Sequence, residues 1–89
     1  MSPLHFDPRK SRRNAAERGL PFEALERFDW LTCLIGVSKT QDPTTTRFTA
    51  LGMLDGDLVF AVFTLSRAGI RVISLRRASR KERKRYVEG

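Results

Sequence analysis

Asp55-Gly56, set between the β-rich runs Thr46–Leu54 and Leu58–Thr64, constrains this chain more than any other local feature. Asp-Gly favours a two-residue type I′ hairpin, because both turn positions need positive φ and glycine takes it without steric cost. Two further runs extend the pair. Trp30–Val37, apolar except at Thr32 and Gly36, reads as a first strand, joined to the second through the polar loop Ser38–Thr45 that contains Asp42-Pro43. In the second strand, alternation puts Phe48, Ala50 and Gly52 on one face. Leu58–Thr64 is apolar on both faces and is expected to be central. After a turn over Ser66–Gly69, Ile70–Arg76 forms a fourth strand. The expected sheet is a four-stranded antiparallel meander.

Helices are expected at both ends. Asp7 can cap the orphan N–H groups of a first turn and Pro8 suits its first position, so a helix runs to Arg18 and stops at Gly19. It has few apolar residues, Ala15 and Ala16, and should lie on the surface of the sheet. A short second helix starts at Pro21, with Phe22, Leu25 and Phe28 on one stripe. Ser79 and Glu82 have capping-box spacing and open a charged helix that ends near Gly89. Helices bracketing consecutive hairpins define an α+β class, here a single domain over 1–89.

Charge narrows function. Seventeen Lys and Arg against ten Asp and Glu give a net charge of +7, and the excess is local. Residues 1–27 sum to +2, residues 28–70 to −1 and residues 71–89 to +6. A field of that sign favours a polyanion or an acidic protein. The longest apolar run, Leu58–Phe63, is far short of the roughly 20 residues of a membrane helix, and the first residues hold no apolar stretch of signal-peptide length. One cysteine, Cys33, excludes an internal disulfide or a thiolate zinc cage, and is expected to be a small core residue. A reducing cytoplasm is the expected location, with no cofactor or metal. His5 is the single histidine and is expected in a mobile end, without a catalytic role. Trp30, at the entry to the first strand, could stack on a base, but a packing role is the favoured expectation.

The order of several segments resembles the BrnT family of bacterial toxins, the toxin half of type II toxin–antitoxin pairs. The likeness runs from Phe6-Asp7-Pro8-Arg9-Lys10 and Asn14 through Gly19-Leu20, Phe22-Glu23-Ala24 and Phe28-Asp29. It includes Arg47–Gly52 and Val62-Phe63-Thr64, and is densest over Ile70–Ala78 with Glu82 and Tyr86. The resemblance implies a RelE-like fold, RNA cleavage that stops translation, and a complex with a BrnA-type antitoxin through which operator DNA is reached only indirectly. Glu17-Arg18 stands where the family usually has Lys-His, and Thr46 where an acidic residue is common. Arg18 is permanently charged, so it suits phosphate binding rather than proton transfer.

RNA carries its own nucleophile. Attack of a 2′-OH on the adjacent phosphate needs deprotonation, charge stabilisation and a proton for the leaving oxygen, none of which strictly requires a metal. Arg76, Arg77, Glu82 and Tyr86 are the candidate catalytic residues, with only one of the two adjacent arginines facing a given groove. Arg would hold the scissile phosphate. Glu82 could take the 2′ proton, orient the arginine, or serve only as capping partner. Tyr86 could stack on a base, donate a hydrogen bond, or anchor the helix. Lys10 and Arg18 are expected on the opposite wall, and with Arg71 and Arg80 are the candidate RNA-backbone ligands. The alternative is a non-catalytic basic module that binds nucleic acid or joins a repressor complex.

Overall fold

The computed structural model describes residues 3–39 and 44–89. It closes the expected hairpin with Asp55 at φ 50° and Gly56 at φ 88°, both positive as a type I′ turn requires. The chain runs β1 (Leu4–His5), α1 (Pro8–Arg18), a 3₁₀ helix (Phe22–Arg27), β2 (Leu34–Val37), β3 (Phe48–Leu54), β4 (Asp57–Ser66), β5 (Gly69–Arg77) and α2 (Arg80–Glu88). The strand order is β1-β5-β4-β3-β2, which puts β4 at the centre as its two apolar faces predict.

The sheet therefore has five strands and is mixed, where four antiparallel strands were expected. β1 pairs in parallel with β5, Leu4 opposite Ile70 and His5 opposite Arg71. Two residues are too few to show a strand period, so the pairing is invisible in sequence. The Ile70 N–H donates to the Pro3 carbonyl at 2.9 Å. A Cβ on Gly69 would sit 2.3 Å from that carbonyl, so a side chain there would push β1 away. His5 is thus held in the sheet, its Nε2 in a hydrogen bond with the Ala68 carbonyl at 2.5 Å. It is not in a mobile end.

The first long strand also starts later than expected, at Leu34 rather than Trp30. Asp29 causes the delay: its carboxylate accepts from the Leu31 N–H at 3.1 Å and the Thr32 hydroxyl at 2.7 Å, folding this stretch into a turn. Trp30 packs instead, edge-on to Phe28 and Phe63, with ring centroids 4.7 and 5.6 Å away. The second strand begins at Phe48 rather than Thr46, and Asp42-Pro43 of the preceding loop lies outside the described residues.

Each face of the sheet meets different helices. Val59, Ala61, Phe63, Val72 and Leu75 form the main core with Leu20, Phe22, Leu25 and Phe28 from the 3₁₀ helix and its flanks. Gly52 lets the tip of the Phe28 ring approach the sheet closely, because a Cβ there would come 2.8 Å from both Phe28 Cζ and the Cys33 Cβ. α1 starts as expected, with the Asp7 carboxylate accepting from the Arg9 N–H, and ends at Gly19 with φ 69°. Its one buried residue is Ser11, whose hydroxyl accepts from the Phe22 N–H at 2.9 Å and donates to Glu23. α1 is therefore docked by polar contacts more than by apolar area. Asn14 donates to the Leu20 and Leu75 carbonyls at 2.6 and 2.8 Å, and Arg18 donates to the Leu75 carbonyl at 3.1 Å. These side chains meet the edge of β5 beyond the reach of short β1. On the other face lie Leu51 and Leu58, both buried, and α2, which buries none of its own residues. No described helix is long and apolar enough to cross a membrane.

Candidate functional site

Antiparallel register decides where the two adjacent arginines go. Arg76 is opposite Phe60 and Arg77 is opposite Val59, so the two leave the sheet on different faces. Arg76 turns toward α2. Its Nη1 and Nη2 donate to Glu82 Oε1 and Oε2, each at 2.8 Å, a two-pronged pair. The guanidinium carbon lies 4.5 Å from the Phe60 ring centroid, so the cation also rests on an aromatic face. Arg77 turns toward α1, donating to the Arg18 carbonyl at 2.6 Å and standing 3.8 Å from the Asp57 carboxylate. A carbonyl at the end of a helix attracts a cation, which accounts for this docking.

Glu82 has two tasks at once. Its Oε1 accepts from the Ser79 N–H at 2.9 Å while Ser79 Oγ accepts from the Glu82 N–H, completing the capping box. The Arg76 hydrogen bond and the capping contacts outweigh desolvation and hold the Glu82 carboxyl down at about 2. Glu82 is therefore ionised at neutral pH and a weak proton acceptor. The stability this pair contributes is fully present above the ordinary Glu value near 4.5 and is lost as pH falls toward 2. Thermal melts of wild type should accordingly lose stability across that acid window. Glu82→Gln should flatten this part of the profile, and an unchanged acid slope would refute the assignment.

Between α2 and the sheet runs a groove of about 320 Å³, lined in part by Lys39, Thr49, Phe60, Val62, Glu82 and Arg85. Arg85 is three residues from Glu82 on the same helix face, a spacing legible in sequence yet left out of the expected site. Phe60 was not legible there, because its contact with Arg76 depends on strand register. Tyr86 points toward the start of β2, its hydroxyl 3.4 Å from Thr32 Oγ1.

Lys10 and Arg18 do not form the opposite wall of this groove. With Arg13, Asn14 and Ser74 they line a separate groove of about 270 Å³ along α1 and β5. Arg71 and Arg80 are exposed, Arg71 beside Thr64 on β4 and Arg80 in the first turn of α2. The four candidate catalytic residues thus separate into the Arg76–Glu82 pair, Tyr86 further along α2, and Arg77 on the far side of the sheet. Cys33 lies half-buried with its thiol pushed up by desolvation, the behaviour of a packing residue. Among the described residues no three of His, Cys, Asp and Glu come together as metal ligands.

Fold and grooves define a small basic α+β protein with a groove lined by Lys39, Arg85 and Glu82, the last paired with Arg76. Residues 6–82 match the family described as a ribonuclease toxin, BrnT, of type II toxin-antitoxin system. The chain belongs to that family, whose members have RNA as substrate and an antitoxin as partner. No curated protein matches the chain.

Proposed function

We propose that the chain is a metal-independent endoribonuclease of RelE-like descent that inhibits translation in the cytoplasm and is neutralised by a BrnA-type antitoxin. The observation that carries the reading is the Arg76 guanidinium, held by Glu82 and Phe60, two residues that line the α2 groove, with N–H donors beyond those given to the Glu82 carboxylate and, at 3.2 Å, to the Arg77 carbonyl. Those donors take a phosphoryl oxygen as charge builds on it, while the 2′-oxygen attacks phosphorus and the bond to the 5′-oxygen breaks. Fixed donors aimed at developing charge need no reorganisation during the reaction. Glu82 orients the arginine, and the proton transfers pass through water. Tyr86 stacks on or hydrogen-bonds a neighbouring nucleotide. Arg80, in the first turn of α2, holds a neighbouring phosphate, and Lys10, Arg18, Arg71 and Arg77 attract more distant stretches of the RNA.

The test is cleavage of RNA by the purified chain in EDTA, giving fragments with 5′-hydroxyl ends. Activity that needs added metal, or that survives simultaneous replacement of Arg76, Arg77, Glu82 and Tyr86, would overturn the proposal. One observation favours the non-catalytic alternative: His5, the single imidazole, pairs beside Arg71 at the opposite end of β5 from Arg76. RNA binding with steep salt dependence and no cleavage would select that alternative.

A further inference from the structure

β2 is an edge strand, and among the described residues no strand covers its outer side. The Ser38 N–H donates to the Arg47 carbonyl at 2.8 Å, which fixes the phase of the β2–β3 ladder. With a period of two, Gly36–Thr49 and Leu34–Leu51 are the hydrogen-bonded pairs. Ile35 and Val37 fall at the alternate positions and turn their main-chain N–H and C=O groups away from β3. Their side chains are also open, 57% and 61% exposed, and Leu31 just before the strand is 96% exposed. Nothing in Leu34–Val37 blunts this edge, neither a proline nor a charged side chain. Alongside it lies a depression of about 350 Å³ between β2 and the end of α2, bordered by Arg85.

We propose that the β2 edge accepts an extended segment of the antitoxin as a sixth strand. Its main chain pairs with Ile35 and Val37, its apolar residues cover their side chains, and carboxylates on its other face meet Arg85. This rests on the reading of the chain as a toxin with a protein partner. The match is one of both pattern and sign. Strand addition takes affinity from main-chain bonds and specificity from alternate side chains, and this edge offers both. A second copy of the chain would bring another net +7 to a border already cationic. RNA has no main-chain amides to pair with the edge, and Ile35 and Val37 give its bases no aromatic face.

The test uses the intact chain and its purified antitoxin. Val37→Pro removes an outward N–H without costing a bond to β3, a substitution that edge strands tolerate. The antitoxin Kd should rise at least about tenfold. In wild type, amide exchange at Ile35 and Val37 should slow when antitoxin binds. Binding of the variant within twofold of wild type would overturn the proposal, as would equal exchange in the free and bound chain. If the variant melts at a lower temperature, the wild-type exchange result decides. Protection by an RNA oligonucleotide instead of antitoxin, or by self-association seen in sedimentation, would also overturn it. RNA cleavage by wild type is scored separately, so a chain that binds antitoxin at β2 without cutting RNA sinks only the ribonuclease reading.

Discussion

Replacing Arg76 with lysine is expected to lower RNA cleavage by about 100-fold, the scale of losing one preorganised donor to a developing oxyanion. Lysine keeps the charge but lacks the planar fork that grips both Glu82 oxygens at 2.8 Å and still has N–H donors to spare. Arg76→Ala should cost at least as much activity. It also leaves the Glu82 carboxylate, whose side chain is only 14% exposed, without its partner. Lysine is therefore the cleaner variant, and a melt at matched pH separates lost chemistry from a loosened α2. Glu82→Gln keeps the shape and the capping contact but releases the guanidinium, so a smaller loss is expected. Cleavage by Arg76→Lys within threefold of wild type, in a folded protein, would remove Arg76 from the reaction.

Gly52→Val is expected to destabilise the fold by about 2–3 kcal/mol, the range for overpacking a filled core. In a domain of this size that lowers Tm by roughly 10–20 °C. The first added carbon already lies 2.8 Å from Phe28 Cζ and from Cys33 Cβ. Phe28 cannot step aside easily, because it is 5% exposed and packs edge-on against Trp30 at 4.7 Å. Two branches beyond that carbon make the conflict worse. A thermal melt of Gly52→Val within a few degrees of wild type would mean that Phe28 does not lie on this part of the sheet.

These expectations depend on the sequence to different degrees. The Asp55-Gly56 turn, the Asp7 cap, the stop at Gly19 and the Ser79–Glu82 capping box were all legible, because each depends on residues within four positions of one another. The divergence of Arg76 and Arg77 was legible for the same reason. The apolar stripe of Phe22, Leu25 and Phe28 pointed to a buried short helix, and all three are buried. What could not be read was partnership across the chain. β1 is too short to announce itself, and its parallel pairing with β5 joins residues more than sixty positions apart. The late start of β2 followed from side-chain bonds of Asp29 that compete with an otherwise strand-like run.

The candidate site divides along the same line. Local chemistry supplied Arg76, Glu82 and Tyr86 as a cation, a carboxylate and a phenol near the chain's end. Register supplied Phe60 beneath Arg76, sent Arg77 to α1, and put Lys10 and Arg18 in a groove of their own. The capping box was readable from Ser79 and Glu82 alone, but the second task of Glu82 came into view only when the β5–α2 turn brought it to Arg76.

Sequence alone settled the Asp55-Gly56 turn and where α1 and α2 start and stop, since short-range sterics and hydrogen bonding govern these, and it showed that the charge gathers at one end. Only the folded structure decided which face each charge occupies, which strand edge stays open and which carboxylate loses its basicity. Those outcomes depend on groups distant in sequence meeting at distances of a few ångströms, where their interactions become strong.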